Sequence, residues 1–154
     1  MSEVRYLRFI KTKAEEIYIV RLEPGEKIPE TLIRLADSEK TQFLIFYGLG
    51  GFRRAKIGFF KEASGYEIVE IRSGENRAVE VASIIGSVIW NGEKYHPHIH
   101  VVLGLTYSGD VRETYSYAGH LIEAEIYPLM ELFVTKVSGI DIDALKDLMP
   151  HRFR

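Results

Sequence analysis

The chain has 154 residues, with 20 Lys and Arg against 22 Asp and Glu, a net charge of -2 and no cysteine. That length fits one domain with a real core, and the near-balanced charge supplies no global field for phosphate backbones or anionic membranes. Disulfides, thiolate nucleophiles and Cys-ligated metals are excluded, so any metal must be held by His, Asp or Glu.

The N-terminal MSEVRYLRFIKTK has no apolar run of signal-peptide length. The longest apolar run, around SIIGSVIW, falls short of the about 20 residues of a membrane span, so a cytoplasmic protein is expected. RYLRFI and IYIVRL read as β-strands, the second closed by the turn pair Pro24-Gly25. A helix is expected next: Pro29 suits its first position, Glu30 favours its start, and Leu32, Ile33, Leu35 and Ala36 supply an apolar face ending near Asp37 to Lys40. QFLIFYG reads as a buried strand, GLGG (48–51) as a tight connection, and RRAKIGFF as another strand. A dinucleotide fingerprint needs GxGxxG opening a helix, whereas Arg53 occupies the third glycine position and a strand follows, so a structural turn is preferred. YEIVEIRS is a strand and SGEN a turn; RAVEVASIIGSVIWN is a long strand or a pair kinked at Gly86. HIHVVLGLTY is a strand closed by Ser108-Gly109-Asp110. LIEAEIYPLMELFV, with Pro128 in its middle, is ambiguous between helix and strand. DIDALKDLM, capped by Asp141 or Asp143, should be a short C-terminal helix, about 141–150. Many strands and few helices predict an α+β class with a mainly antiparallel sheet, as one domain over 1–154 with its core about 15–137.

Three of the five histidines, His96, His98 and His100, alternate in HPHIHVV. Alternate residues share a strand face with Cα atoms roughly 6.5–7 Å apart, so neighbouring imidazoles can converge on one ion. Pro97 puts His96 at the strand entrance, which leaves His98 and His100 as the better pair and His120 as the candidate third ligand, with an open coordination position. The same spacing equally suits histidines hydrogen-bonded on a half-buried face. Glu80, Glu123, Glu125 and Glu131 are candidate partners or acid–base groups, Glu80 being the weak catalytic candidate. Ser116 lies four residues from His120 but in no GxSxG turn. Arg53 and Arg54 form one small basic pair, on which a third and last-ranked reading, weak direct DNA binding, would rest.

The ordered segments RLEPGEKIPETL, FYGLGGFRRAKIGFF, EVASIIGSV, HPHIHVVLG and AGHLIEAEIYPLMELFV resemble the plant and prokaryote conserved (PPC) domain over nearly the whole chain. The family pattern H-x-H followed by G-G-H-L falls on His98, His100 and Ala118-Gly119-His120-Leu121, with Ala118 replacing the first glycine and a longer loop, DVRETYSYA, before it. The resemblance implies a strongly bent antiparallel sheet, a homotrimer, and a fold like that of acetolactate decarboxylase, whose histidines hold zinc; zinc is therefore the expected ion at His98, His100 and His120. It implies a binding and assembly module, linked to transcription through partners, with a zinc-dependent lyase or hydrolase acting on a small carbonyl substrate as the alternative. Plant members join this domain to AT-hooks with an RGRP core. This sequence has none, so a protein partner or small ligand is expected rather than direct nucleic-acid or membrane binding.

Overall fold

The protein is described here by a computed structural model covering residues 7–106 and 113–154. Its elements are β1 (Lys13–Leu22), β2 (Lys27–Ile28), α1 (Glu30–Ser38), β3 (Phe43–Lys61), β4 (Gly65–Arg72), β5 (Val79–Trp90), β6 (Tyr95–Thr106), β7 (Thr114–Ser138), α2 (Ile142–Leu148) and a 3-10 helix at Pro150–Phe153. All strand pairs among the described residues are antiparallel, in the order β1-β7-β6-β5-β3-β4, with β2 on β7 and a further direct pairing of β7 with β3. That last pairing closes β3, β5, β6 and β7 into a circuit, which bends the sheet around its own apolar face. Phe46, Phe52, Ile57, Ile84, Ile99, Leu103, Ile126 and Leu132 fill the inside, joined by Leu32 and Ala36 of α1. The α+β class and the mainly antiparallel sheet are as the sequence predicts.

Several local expectations change. Leu7 to Ile10 is not a strand, because β1 takes the edge of β7 only from Lys13 onward; Arg5 and Tyr6 lie outside the described residues. GLGG is no connection but part of the single 19-residue strand β3. Its glycines admit the backbone of β7: a Cβ at Gly48 would lie 2.2 Å from the Glu131 carbonyl oxygen, and Gly50, at φ 151°, would meet that of Leu129 at 2.4 Å. Gly86 does not break β5; it lets the His98 carbonyl come within 2.4 Å of where a Cβ would stand. The ambiguous 121–137 stretch is strand, part of β7. Pro128, which lacks a ladder N–H, sits where the β3–β7 register jumps from Gly50↔Met130 to Phe52↔Ile126. Of the expected loop before Gly119, residues 114–118 belong to β7; the turn at Ser108 to Asp110 lies outside the described residues. Asp141 caps α2, its carboxylate accepting from the backbone N–H groups of Asp143 and Ala144.

Candidate metal centre

Register brings the histidines together. His100 stands opposite His120 across β6 and β7, and His98 lies two residues before His100 on the same face. Their nitrogen atoms form a group within 4.8 Å of one another that is able to hold a metal ion. A nitrogen–metal distance of about 2.0–2.1 Å sets two nitrogens of a tetrahedral centre about 3.3–3.4 Å apart. His98 Nε2 and His100 Nε2 are 3.3 Å apart. The same geometry puts imidazole centroids about 5.2 Å apart, and the three centroid separations are 5.2, 5.3 and 5.5 Å. His120 Nδ1 is buried with no hydrogen-bond partner among the described residues; a buried polar atom left unpaired is costly unless something occupies it.

The protonation of the rings suits metal ligation. Burial foremost, then the nearby Arg152 charge and the neighbouring histidines, pushes His98 down to about 4. Burial likewise lowers His120, followed by His100, His96 and Arg152. Both shifts favour the neutral ring that a metal ligand must present. His120 is held in place by Tyr66, stacked on it at 4.9 Å between centroids.

His96 is set apart by a definite contact. Arg152 Nε donates to its Nδ1 at 3.0 Å, which fixes Nδ1 as an unprotonated acceptor and occupies it. It is half-buried and engaged rather than a bare rim residue. Glu80 is not in the cluster: it pairs with Gly104, four residues or about 13 Å along β6 from His100. There it lines a separate cleft with Arg77, Thr106 and Ser116. Glu123 pairs with Lys56 at 2.9 Å, and Glu131 lies opposite Arg21 in the β1–β7 ladder. Arg53 and Arg54 converge on Glu125 at 3.7 and 3.2 Å, with Arg53 also over the Tyr127 ring. Sequence reading missed Tyr66, Ser87, His151 and Arg152, because only strand register and the fold-back of the C-terminal segment bring them near the histidines.

The Plants and Prokaryotes Conserved (PCC) domain model matches residues 10–138. The chain belongs to this family. No curated protein matches it significantly. Among solved structures, the PCC chain is similar in fold to a plant- and prokaryote-conserved (PPC) protein of Pyrococcus horikoshii, at TM-score 0.73 and 24% identity, covering 88% of this chain and 87% of that one. It is similar to a metal-containing protein of Archaeoglobus fulgidus at TM-score 0.72 and 25% identity, covering 86% and 87%. A Ralstonia eutropha protein described as a candidate DNA-binding protein aligns at TM-score 0.66 and 25% identity, over 79% and 78%. The fold likeness to acetolactate decarboxylase is weak: that of Bacillus subtilis aligns at TM-score 0.49 with 12% identity, too distant to bear on activity.

No helix among the described residues is long and apolar enough to cross a membrane.

Proposed function

We propose that this PCC domain is a homotrimeric binding and assembly module in which His98, His100 and His120 hold one divalent transition metal, zinc being the ion that three-histidine sites with an open position commonly hold. The observation that carries this reading is a cross-strand row on the outer face of the sheet. Ile19, Phe133, Tyr47 and Ile85 follow one another from β1 to β5, and the next residue in the row is His100. Ile19 is 84%, Tyr47 60% and Ile85 59% exposed. An apolar strip this open suits burial against another copy of the chain, and it would set the histidines beside that interface.

The ion would bring Lewis acidity and an open position for water or a carbonyl. The lyase or hydrolase reading uses the same three ligands, but its candidate acid–base group, Glu80, lines another cleft, so a binding role has the better support. A metal-containing structural relative supports the metal, not the chemistry. Direct DNA contact through Arg53 and Arg54 is disfavoured, because the Glu125 carboxylate pairs with both and offsets half of their charge; any link to transcription runs through a partner.

Light scattering after gel filtration, with elemental analysis of the same peak, tests the proposal. A mass near three times 17.7 kDa with bound zinc is expected, and the metal should be lost in His98→Ala. A monomer at micromolar concentration, or a chain that takes up no transition metal on titration, would refute it.

A further inference from the structure

The matched family domain ends at residue 138, but the chain beyond it returns to the histidine cluster. Arg152, in the 3-10 helix, is 3% exposed. Besides the bond to His96 Nδ1, its Nη1 donates to Ser87 Oγ at 2.9 Å and its Nη2 to the His96 carbonyl at 2.8 Å. Ser87 is the register partner of His98. Arg152 is therefore fastened to β5 and to β6, the strand that carries His98 and His100. All its acceptors are neutral, and among the described residues no carboxylate pairs with it. A buried cation without a counter-ion raises the potential around it, because the low-dielectric interior screens it poorly.

The preceding residue of the same turn is His151. It is exposed, and its ring stands 6.4 Å from that of His98, edge to face at 87°. The candidate ligand set contains no carboxylate. Three imidazole ligands bring no negative charge to offset a divalent ion, and Arg152 adds one more positive charge, so an open coordination position on a loaded cluster would be electropositive, with the His151 side chain standing 6.4 Å from the His98 ring beside it.

We propose that this open side is an anion subsite that takes a compact oxyanion, a small carboxylate or a phosphate, with His151 donating a hydrogen bond to it and Arg152 supplying the buried charge and anchoring the turn. This deepens the metal-centre reading and rests on it. His151 is the residue that touches the anion; Arg152, too buried to reach it, is a positioning residue that also acts through its field.

The test loads the full chain with Co²⁺, whose visible spectrum reports ligands at the metal, and titrates acetate and inorganic phosphate separately at constant ionic strength. Saturable spectral change is expected, and the tighter of the two arms tells carboxylate from phosphate. His151→Ala, a change at an exposed position, should leave the anion-free Co²⁺ spectrum unaltered while weakening the anion about tenfold, the size of one lost charge-assisted contact. Arg152→Gln should weaken it as much or more, with Arg152→Lys recovering most of the loss. Co²⁺ uptake without any anion response, or equal anion affinity in wild type, His151→Ala and Arg152→Gln, overturns the subsite alone. Failure to take up Co²⁺ overturns the metal centre, and the subsite with it.

Discussion

The phenol ring of Tyr66 lies against the imidazole of His120 with the two planes only 23° apart. Gly58 makes this stack possible: it is the register partner of His120 on β3, and a Cβ there would stand 2.8 Å from Tyr66 Cδ1. The β4 hairpin thus fixes the ring that strand pairing alone would leave free to rotate. Losing a partner that orients a metal-binding histidine typically costs 10–100-fold in metal affinity. Tyr66→Ala is expected to weaken zinc binding by about tenfold, and Tyr66→Phe to leave it within about twofold. Gly58→Ala should resemble Tyr66→Ala, since the added methyl displaces the ring. Competition with a chromophoric chelator measures all three; equal affinities would mean that His120 needs no such support.

The depressed histidines make the metal-free protein sensitive to acid. In the unfolded chain an imidazole takes its proton near pH 6.5, but folded His98 takes it only near 4. Between those values the unfolded state binds more protons, so falling pH favours it. The contribution is complete above about pH 6.5 and disappears as pH falls through about 4. The melting temperature of metal-free protein should therefore drop over that window, with a shallower slope in His98→Ala. Saturating zinc should shift the drop to lower pH, because the ion competes with the protons. An identical pH profile in His98→Ala would show that His98 is not neutral in the fold.

Much of this was readable from residue types alone. Alternation puts the three histidines on one face and Pro97 singles out His98 and His100, the turn residues mark Pro24-Gly25, and Asp141 or Asp143 announces the cap of α2. What could not be read depends on long-range pairing. GLGG looked like a turn because glycine signals both positive φ and close backbone approach, and only β7 lying against β3 decides for the second. The stretch around Pro128 was ambiguous because helix formers and β-branched residues alternate there, and strand partners on both sides override local preference. His96 has the same sequence spacing to His98 as His100 does; an arginine 56 residues away is what separates them.

The outer-face row can be broken without touching the core. Ile85 lies between Tyr47 and His100 in the row and is 59% exposed, so Ile85→Lys adds a charge whose flexible stem can carry it into water in the single chain. Within about 0.5 kcal/mol the isolated fold should not notice. An assembly that buries the strip would have to desolvate an ammonium, which costs several kcal/mol. Light scattering should therefore report a smaller species for Ile85→Lys with an unchanged circular dichroism spectrum. An unaltered mass would place the interface elsewhere.

Arg152 should show opposite effects on stability and on metal affinity. Replacing it by Met keeps most of the buried volume but strands Ser87 Oγ, the His96 carbonyl and His96 Nδ1 without their donor. Unsatisfied buried acceptors cost about 1–3 kcal/mol, so a stability loss of about 2–3 kcal/mol is expected in urea titration. The metal should respond in the other direction. The Arg152 charge is among the causes that lower His98, and what repels a proton from that nitrogen repels a divalent ion from it more strongly. A doubly charged ion feels the loss of a nearby like charge twice over, so Arg152→Met should bind zinc about tenfold more tightly while folding less stably. If zinc affinity falls instead, the hydrogen bonds that hold β5 and β6 in register outweigh the repulsion, and Arg152 serves the site chiefly as a clamp.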